Sequence, residues 1–375
     1  MRGILIDATA IPSDRGGVGR YVDGIVGALL SSGTALTVVC QARDAAGFAA
    51  QGATTVAVPA SIERTFRRLL WEQITLPRLA RRLGVDLIHS PHYTFPLFTR
   101  IPLIVTVHDL TFFTLPSVHS TVKRHFFRWW IRAVARSAIP VITVSESTAR
   151  DFIRVTGAPS AQVTVCHLGY NAELFHQPDE ATVGRLRAAI PELPDSWIAF
   201  LGTLEPRKNV VALIDGYREA AAHAVADFPS LLLSGGNGWD DAVDPAIARA
   251  VSAGADVRKL GYLPLDTLPA FLGGSSIFVY PSLGEGFGLP VLEAMATGAC
   301  VLTTDRMSIP EVGGTAVAYT GITSSEIASA ISALLEDDVR RASFSAAALV
   351  RAATFTWDAA ARNHAAAYAR AVDSG

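Results

Sequence analysis

The chain has 375 residues, more than one hydrophobic core ordinarily organises, so two domains are expected. Half of the residues are hydrophobic and 18% are charged, which excludes a disordered or fibrous chain. A net charge of -2 excludes a general pull toward nucleic acid or anionic lipid and leaves any such contact to a local patch.

The cysteines Cys40, Cys166 and Cys300 are widely spaced, odd in number and without a CxxC pair. They read as small buried hydrophobes in a reducing compartment, not as disulfides or zinc ligands. Before Asp7 only Ile4, Leu5 and Ile6 form a large apolar run, too short for the core of a signal peptide. No stretch approaches the roughly 18 uninterrupted apolar residues of a bilayer span. The expectation is a cytoplasmic protein.

Short β-branched runs separated by helical lengths begin at Ile4 to Ile6. They continue at Leu36 to Cys40, Thr55 to Val58, Leu87 to Ile88, Leu103 to Val107, Val141 to Val144 and Val163 to Val165. This alternation marks βαβ units around a buried parallel sheet. Ligands bind beyond the C-terminal ends of such strands, so the residues after each run carry the functional expectation. After the first run, Asp14 to Gly19 reads as a loop that brings bare N–H groups of Gly16 and Gly17 against an anion before a helix starts. An ordinary tight turn is the rival reading. After the fifth run stand His108 and Asp109. His108 is a candidate to hydrogen-bond a sugar hydroxyl, with Asp109 orienting its imidazole or shaping the pocket, across a cleft from a phosphate site in the second half. A satisfied core histidine is the alternative. Two segments of this half are basic, 62–83 and 122–136; the second places Phe126, Phe127, Trp129 and Trp130 among Lys123, Arg124, Arg128, Arg132 and Arg136. It reads either as a helix at an anionic membrane or lipid-linked acceptor, or as an amphipathic helix with its aromatics in the core.

Glycine and proline interrupt the pattern between Gly169 and Pro194. It restarts at Ile198 to Phe200, Leu231 to Leu233, Ile277 to Val279 and Val301 to Leu302, so the fold class is α/β with two Rossmann-like halves. After Phe200, Gly202 and Pro206 shape a turn ending in Arg207 and Lys208. A planar fork beside a point charge suits the two phosphates of a nucleoside diphosphate. After Val279 comes Tyr280-Pro-Ser, then Glu285-Gly-Phe-Gly-Leu-Pro-Val-Leu-Glu293. Here a glycine-rich turn enters a helix with Pro290 in its first turn, where a missing N–H costs nothing. The helix start would receive a pyrophosphate, with Gly286 and Gly288 permitting close approach. Glu285 and Glu293 would accept hydrogen bonds at the two ends of the donor, from sugar and ribose hydroxyls.

Together these segments resemble the retaining glycosyltransferases of family 4, of GT-B fold. The resemblance rests on GGVGRY at 16–21, HDL at 108–110, SESTARD at 145–151, LGTLEPRKN at 201–209, GY at 261–262, the Glu285 to Glu293 segment and SIPEVGG at 308–314. It implies two facing Rossmann-like domains. One, 1–172, is acceptor-side and regains a helix at 357–375 that crosses back; the other, 173–356, binds the nucleotide sugar. It assigns Arg207 and Lys208 to the diphosphate, Glu285 to the sugar, Gly286, Phe287, Gly288 and Leu289 to backbone donation and Glu293 to the ribose. His108 would touch the transferred sugar and Gly17 would approach the phosphate. Preorganised donors around the departing diphosphate would supply most of the catalysis. The resemblance favours front-face attack with retention.

No Asp-x-Asp motif is present, so no metal requirement and no cofactor are expected; the nucleotide sugar is a substrate. Expected partners are that donor, a glycan or lipid-linked acceptor and peripheral contact with anionic membrane at the inner face, with no nucleic acid. The wording HDLTFF and SIPEVGG leans toward GDP-mannose in polysaccharide assembly. The alternatives are a GT-B nucleotide-sugar epimerase and a catalytically silent nucleotide-binding protein. A nicotinamide-dependent oxidoreductase is disfavoured, because the third glycine of its fingerprint would fall at Val22.

Overall fold

The computed structural model describes residues 3–13, 15–190, 193–224 and 227–373. It divides into two compact units, Met1–Gly169 with Phe355–Gly375, and Tyr170–Thr354.

The first unit holds strands β1 (Ile4–Asp7), β2 (Leu36–Gln41), β3 (Thr54–Val58), β4 (Leu87–Ser90), β5 (Leu103–Val107), β6 (Val141–Thr143) and β7 (Val163–Val165). They form one sheet in the order β3-β2-β1-β4-β5-β6-β7, with every pairing parallel. Central strands covered on both faces cannot alternate, which is why β1 and β5 read as largely apolar runs. The order reverses between β1 and β4, where Ile4 pairs with Leu36 on one side and Leu87 on the other.

The glycine segment after β1 corrects the sequence reading. Asp14 lies outside the described residues, and Gly16, Gly17 and Gly19 belong to the first turn of a helix, Gly16–Ser31, not to a loop. The buried face of Tyr21, Val22, Ile25, Val26 and Leu29, at helical spacing, outweighs the weak helix preference of the glycines. Gly24 has a packing role: a Cβ there would stand 2.1 Å from the Trp357 ring. The chain's last described helix, Trp357–Asp373, packs at this point in the first unit.

A buried polar chain fixes that helix further. His364 Nδ1 lies 2.8 Å from the Ala360 carbonyl, which only accepts, so Nδ1 carries the hydrogen and Nε2 accepts from the Tyr21 hydroxyl at 2.8 Å. Tyr21 in turn accepts from Thr106 at 2.9 Å, Thr106 from His89 Nε2 at 2.8 Å, and His89 Nδ1 from Tyr368 at 2.9 Å. Each hydrogen has one direction. Burial holds His364 down to about 4, and drives His89 well below its ordinary value.

The second unit holds β8 (Trp197–Leu201), β9 (Ser230–Ser234), β10 (Val257–Gly261), β11 (Ile277–Tyr280), β12 (Val301–Thr304) and β13 (Ala318–Thr320). The sheet is parallel in the order β10-β9-β8-β11-β12-β13, reversing between β8 and β11. β10 and β13 escape the apolar-run criterion because they are edges: β10 carries Arg258 and Lys259, and β13 exposes Tyr319. The stretch read as a junction contains a helix, Glu180–Ala189, started by Asp179 accepting from the Thr182 N–H at 2.7 Å. Cys40, Cys166 and Cys300 are buried and unpaired. Among the described residues no helix is long and apolar enough to cross a membrane.

Candidate active site

The β8/β11 reversal gathers the best-organised charge cluster of the second unit. Beyond β8, Gly202 N–H continues the ladder to Ser234 O at 2.9 Å. Gly235 and Gly238 press against this stretch: a Cβ on the first would stand 2.1 Å from Gly202 O, on the second 1.8 Å from Leu204 O. Only glycine permits that approach. Gly202 itself has ordinary room, its nearest Cβ contact being the Phe200 ring at 3.4 Å. Pro206–Lys208 then makes a short 3-10 turn, closed by Asn209 in the left-handed region and tied to Ile322 O at 2.9 Å.

Beyond β11, Leu283 N–H donates to Arg207 O at 2.8 Å, which locks the two strand ends together. Arg207 Nη1 donates to Gly284 O at 2.8 Å and Glu285 Oε2 at 2.7 Å, and Nη2 to Glu205 Oε1 at 2.5 Å. Lys208 Nζ donates to Glu285 Oε1 at 2.7 Å and to the Tyr280 hydroxyl. Oε1 also accepts from Ser282 at 2.6 Å and Tyr280 at 3.0 Å. Burial pushes the Glu285 carboxyl up, but Arg207 and Lys208 outweigh it and bring it to about 2. Burial and the neighbouring Arg207 pull Lys208 below its usual value against the two carboxylates. Burial and Glu285 raise Tyr280.

Arg207, Lys208 and Glu285, expected to share a site, do come together. Their mutual ion pairs were not foreseen: in this state Glu285 and Glu205 neutralise both cations. Glu205, Tyr280 and Ser282 are the residues that sequence reasoning missed. The Tyr-Pro-Ser sequence before the glycine turn was the only signal for Tyr280 and Ser282, and Glu205 had none.

The turn itself is braced by the SIPEVGG segment. Ser308 donates to Glu285 O at 2.8 Å, and a Cβ on Gly288 would stand 2.8 Å from Ile309 Cδ1. Gly288 has φ 105° and starts the helix Leu289–Ala296, with Pro290 in its first turn. Phe287, Leu289 and Glu293 are buried, Gly286 is half-buried, and Glu293 lies inside the helix.

In the first unit His108 and Asp109 follow β5. His108 Nε2 donates to Pro91 O at 2.8 Å, so Nδ1 is the accepting nitrogen, and burial lowers its pKa toward the neutral ring. Tyr21 meets it edge-on at 5.0 Å. Of the two roles weighed for Asp109, orienting the imidazole is not the one its carboxylate takes: it accepts from Thr111 N–H at 2.9 Å and Thr111 hydroxyl at 2.6 Å, capping the next turn. Gly16 and Gly17 are exposed, and a Cβ at either would meet nothing within 4 Å.

Residues 15–174 match the model of Glycosyltransferase Family 4, and residues 195–337 that of Glycosyl transferases group 1. The O-antigen chain mannosyltransferase B of Escherichia coli is 31% identical over 279 residues, covering 72% of this chain and 70% of that protein. The serotype-specific mannosyltransferase WbdA of Escherichia coli is 30% identical over 58% of this chain, which spans only 27% of that protein's length. Among solved structures, Anabaena HepE in complex with UDP and glucose is similar with a TM-score of 0.79, over 98% of this chain and 99% of that one, at 19% identity. Two parallel α/β units of this order, with sequence matches across both, make the chain a member of glycosyltransferase family 4 with the GT-B fold.

Proposed function

We propose that this glycosyltransferase moves mannose from GDP-mannose to a glycan or lipid-linked acceptor with retention of configuration, and holds no metal on the diphosphate. The reading is carried by the Arg207–Lys208–Glu285 cluster at the β8/β11 reversal, the position where open α/β sheets bind ligands. The mannosyltransferase relatives favour the sugar.

The cluster suggests how the diphosphate is received. An incoming dianion competes with Glu205 for Arg207, and the guanidinium turns from one anion to the other at little electrostatic cost. Glu285 stays ionised throughout, anchoring Lys208 and Arg207. The second lone pair of its Oε2 is available to a sugar hydroxyl. Negative charge building on the leaving diphosphate is met by Arg207, Lys208 and the start of the helix Leu289–Ala296. Gly202, Gly286, Phe287, Gly288 and Leu289 supply backbone around the donor, and Glu293 takes the ribose. Neutral His108 accepts a hydroxyl hydrogen from the transferred sugar through Nδ1. Gly16, Gly17 and Asp109 complete the donor contacts.

Peripheral membrane contact is part of the same proposal. The helix Thr65–Leu83 exposes Phe66 by 77%, Leu70 by 52% and Ile74 by 43%, one turn apart, with Arg67, Arg78, Arg81 and Arg82 also exposed. That combination suits an anionic bilayer surface. In the helix Thr121–Arg136 the core reading prevails for Trp130, Phe126 and Phe127, while Trp129 and Val122 face solvent.

The reading is tested by incubating the protein with each of GDP-, UDP-, ADP- and dTDP-hexoses and an acceptor extract. Transfer from GDP-mannose, giving an α-linked product, supports it. Donor hydrolysis or epimerisation without an acceptor product overturns it. Sedimentation with anionic vesicles at low salt tests the membrane contact, and loss of binding in Phe66→Ser/Leu70→Ser is expected.

A further inference from the structure

Asp7, Glu72 and His92 come from three elements of the first unit and meet in its interior. Asp7 ends β1, Glu72 lies on the helix Thr65–Leu83 and His92 follows β4. One oxygen or nitrogen from each lies within 4.8 Å of the other two. The transferase reading uses none of them.

The hydrogens around the group can be placed. Thr94 Oγ1 lies 2.7 Å from Glu72 Oε2 and 3.0 Å from His92 Nδ1. A carboxylate only accepts, so the one hydroxyl hydrogen goes to Glu72. His92 Nδ1 must then donate to Thr94, which leaves a lone pair on Nε2. That lone pair faces Asp7 Oδ2 at 3.6 Å, and among the described residues neither atom has a hydrogen-bond partner. Asp7 and His92 are 0% and 8% exposed, so bulk water does not separate them.

Two facing lone pairs repel unless something positive lies between them. A proton there would draw nitrogen and oxygen to about 2.7–2.9 Å. Two ligands at about 2.0–2.1 Å from one tetrahedral ion stand about 3.4 Å apart, and the observed gap is of that size. Charge is compatible with this, since the two carboxylates Asp7 and Glu72 face one guanidinium, Arg68, which donates to Glu72 Oε2 at 2.8 Å, and the imidazole of His92. The outer contacts needed to aim such ligands are present: Thr9 N–H and hydroxyl hold Asp7 Oδ1 at 3.1 and 2.6 Å, and Gln73 holds Glu72 Oε1 at 3.1 Å.

We propose that Asp7, Glu72 and His92 bind one divalent ion of the zinc class, which ties the helix Thr65–Leu83 to the ends of β1 and β4. One imidazole with two carboxylates suits Zn²⁺, and three protein ligands leave a fourth position for water. The ion is structural and independent of the diphosphate cluster, which lies in the other unit.

The test is a competition titration of Zn²⁺ against a chromophoric chelator, using full-length protein first stripped by dialysis. One equivalent should bind and raise the melting temperature. Thr94→Val should weaken binding by about 10- to 100-fold through loss of the outer contact, and His92→Ala should abolish it. Because His92→Ala also removes a buried structural contact, Co²⁺ added to the wild type gives a second readout, the visible spectrum of a low-coordinate site. The proposal is overturned if the wild type takes up no stoichiometric Zn²⁺, if folded His92→Ala binds it equally well, or if Co²⁺ gives only the spectrum of the aqueous ion.

Discussion

Replacing Glu285 by glutamine keeps its volume but removes the charge that Arg207 and Lys208 share, leaving the buried Lys208 and the half-buried Arg207 against Glu205 alone. Breaking a buried ion pair from one side is expected to cost about 3 kcal/mol, and thermal melting of Glu285→Gln should show that loss together with loss of transfer. Arg207→Lys tests a different property. It retains charge but loses the fork that spans Gly284 O, Glu285 and Glu205, so donor affinity should fall about 10-fold or more while the fold persists. Titration calorimetry with GDP reads this directly; unchanged affinity would show that the fork does not meet the diphosphate. At this scale the sequence was legible where residue type and strand end coincide, as at Arg207, Lys208 and Glu285. It was silent on Glu205, because nothing local distinguishes a carboxylate that returns to pair with a residue two positions on. It did not reveal that Asp109 caps the Thr111 turn, because that contact depends on backbone conformation.

Among the elements, helix packing in the first unit rests on Gly24 and on the hydrogen-bond chain from Tyr368 to Ala360. Gly24→Leu would drive a side chain into the Trp357 ring, which lies 2.1 Å from even a Cβ, and should detach the helix Trp357–Asp373. Limited proteolysis would then release the C-terminal segment, whereas the wild type should resist. The central strands of both sheets were legible because burial on both faces forces continuous apolar runs, as in Leu231 to Leu233 and Ile277 to Val279. β10 and β13 were not, since an edge strand needs charge and tolerates exposure. The helix Gly16–Ser31 was read as starting later than it does, because three glycines in its first turn hide a buried face that begins only at Gly19 and Tyr21.

For the whole molecule, the two units differ in what acid does to them. His364 is held at about 4 against an ordinary 6.5, so its contribution is complete above pH 6.5 and lost as pH falls toward 4. His89, depressed in the same direction, adds to it. Glu285, at about 2 against 4.5, contributes about 3 kcal/mol that is complete above pH 4.5 and lost as pH falls toward 2. Hydrogen exchange should therefore show the helices Gly16–Ser31 and Trp357–Asp373 losing protection between pH 6.5 and 4. The segment Ile277 to Ala296 should hold to lower pH, and the opposite order would refute these assignments. The family and the GT-B fold follow from sequence matches and sheet order across the chain; what remains distinctive is the charge cluster where β8 and β11 end. Phosphorus NMR of GDP titrated with protein tests that cluster most directly. Both phosphate resonances should shift and broaden with the wild type and stay as in free GDP with Arg207→Ala/Lys208→Ala, provided the variant's melting curve shows it folded. Equal shifts with the folded double variant would contradict a diphosphate site at Arg207 and Lys208.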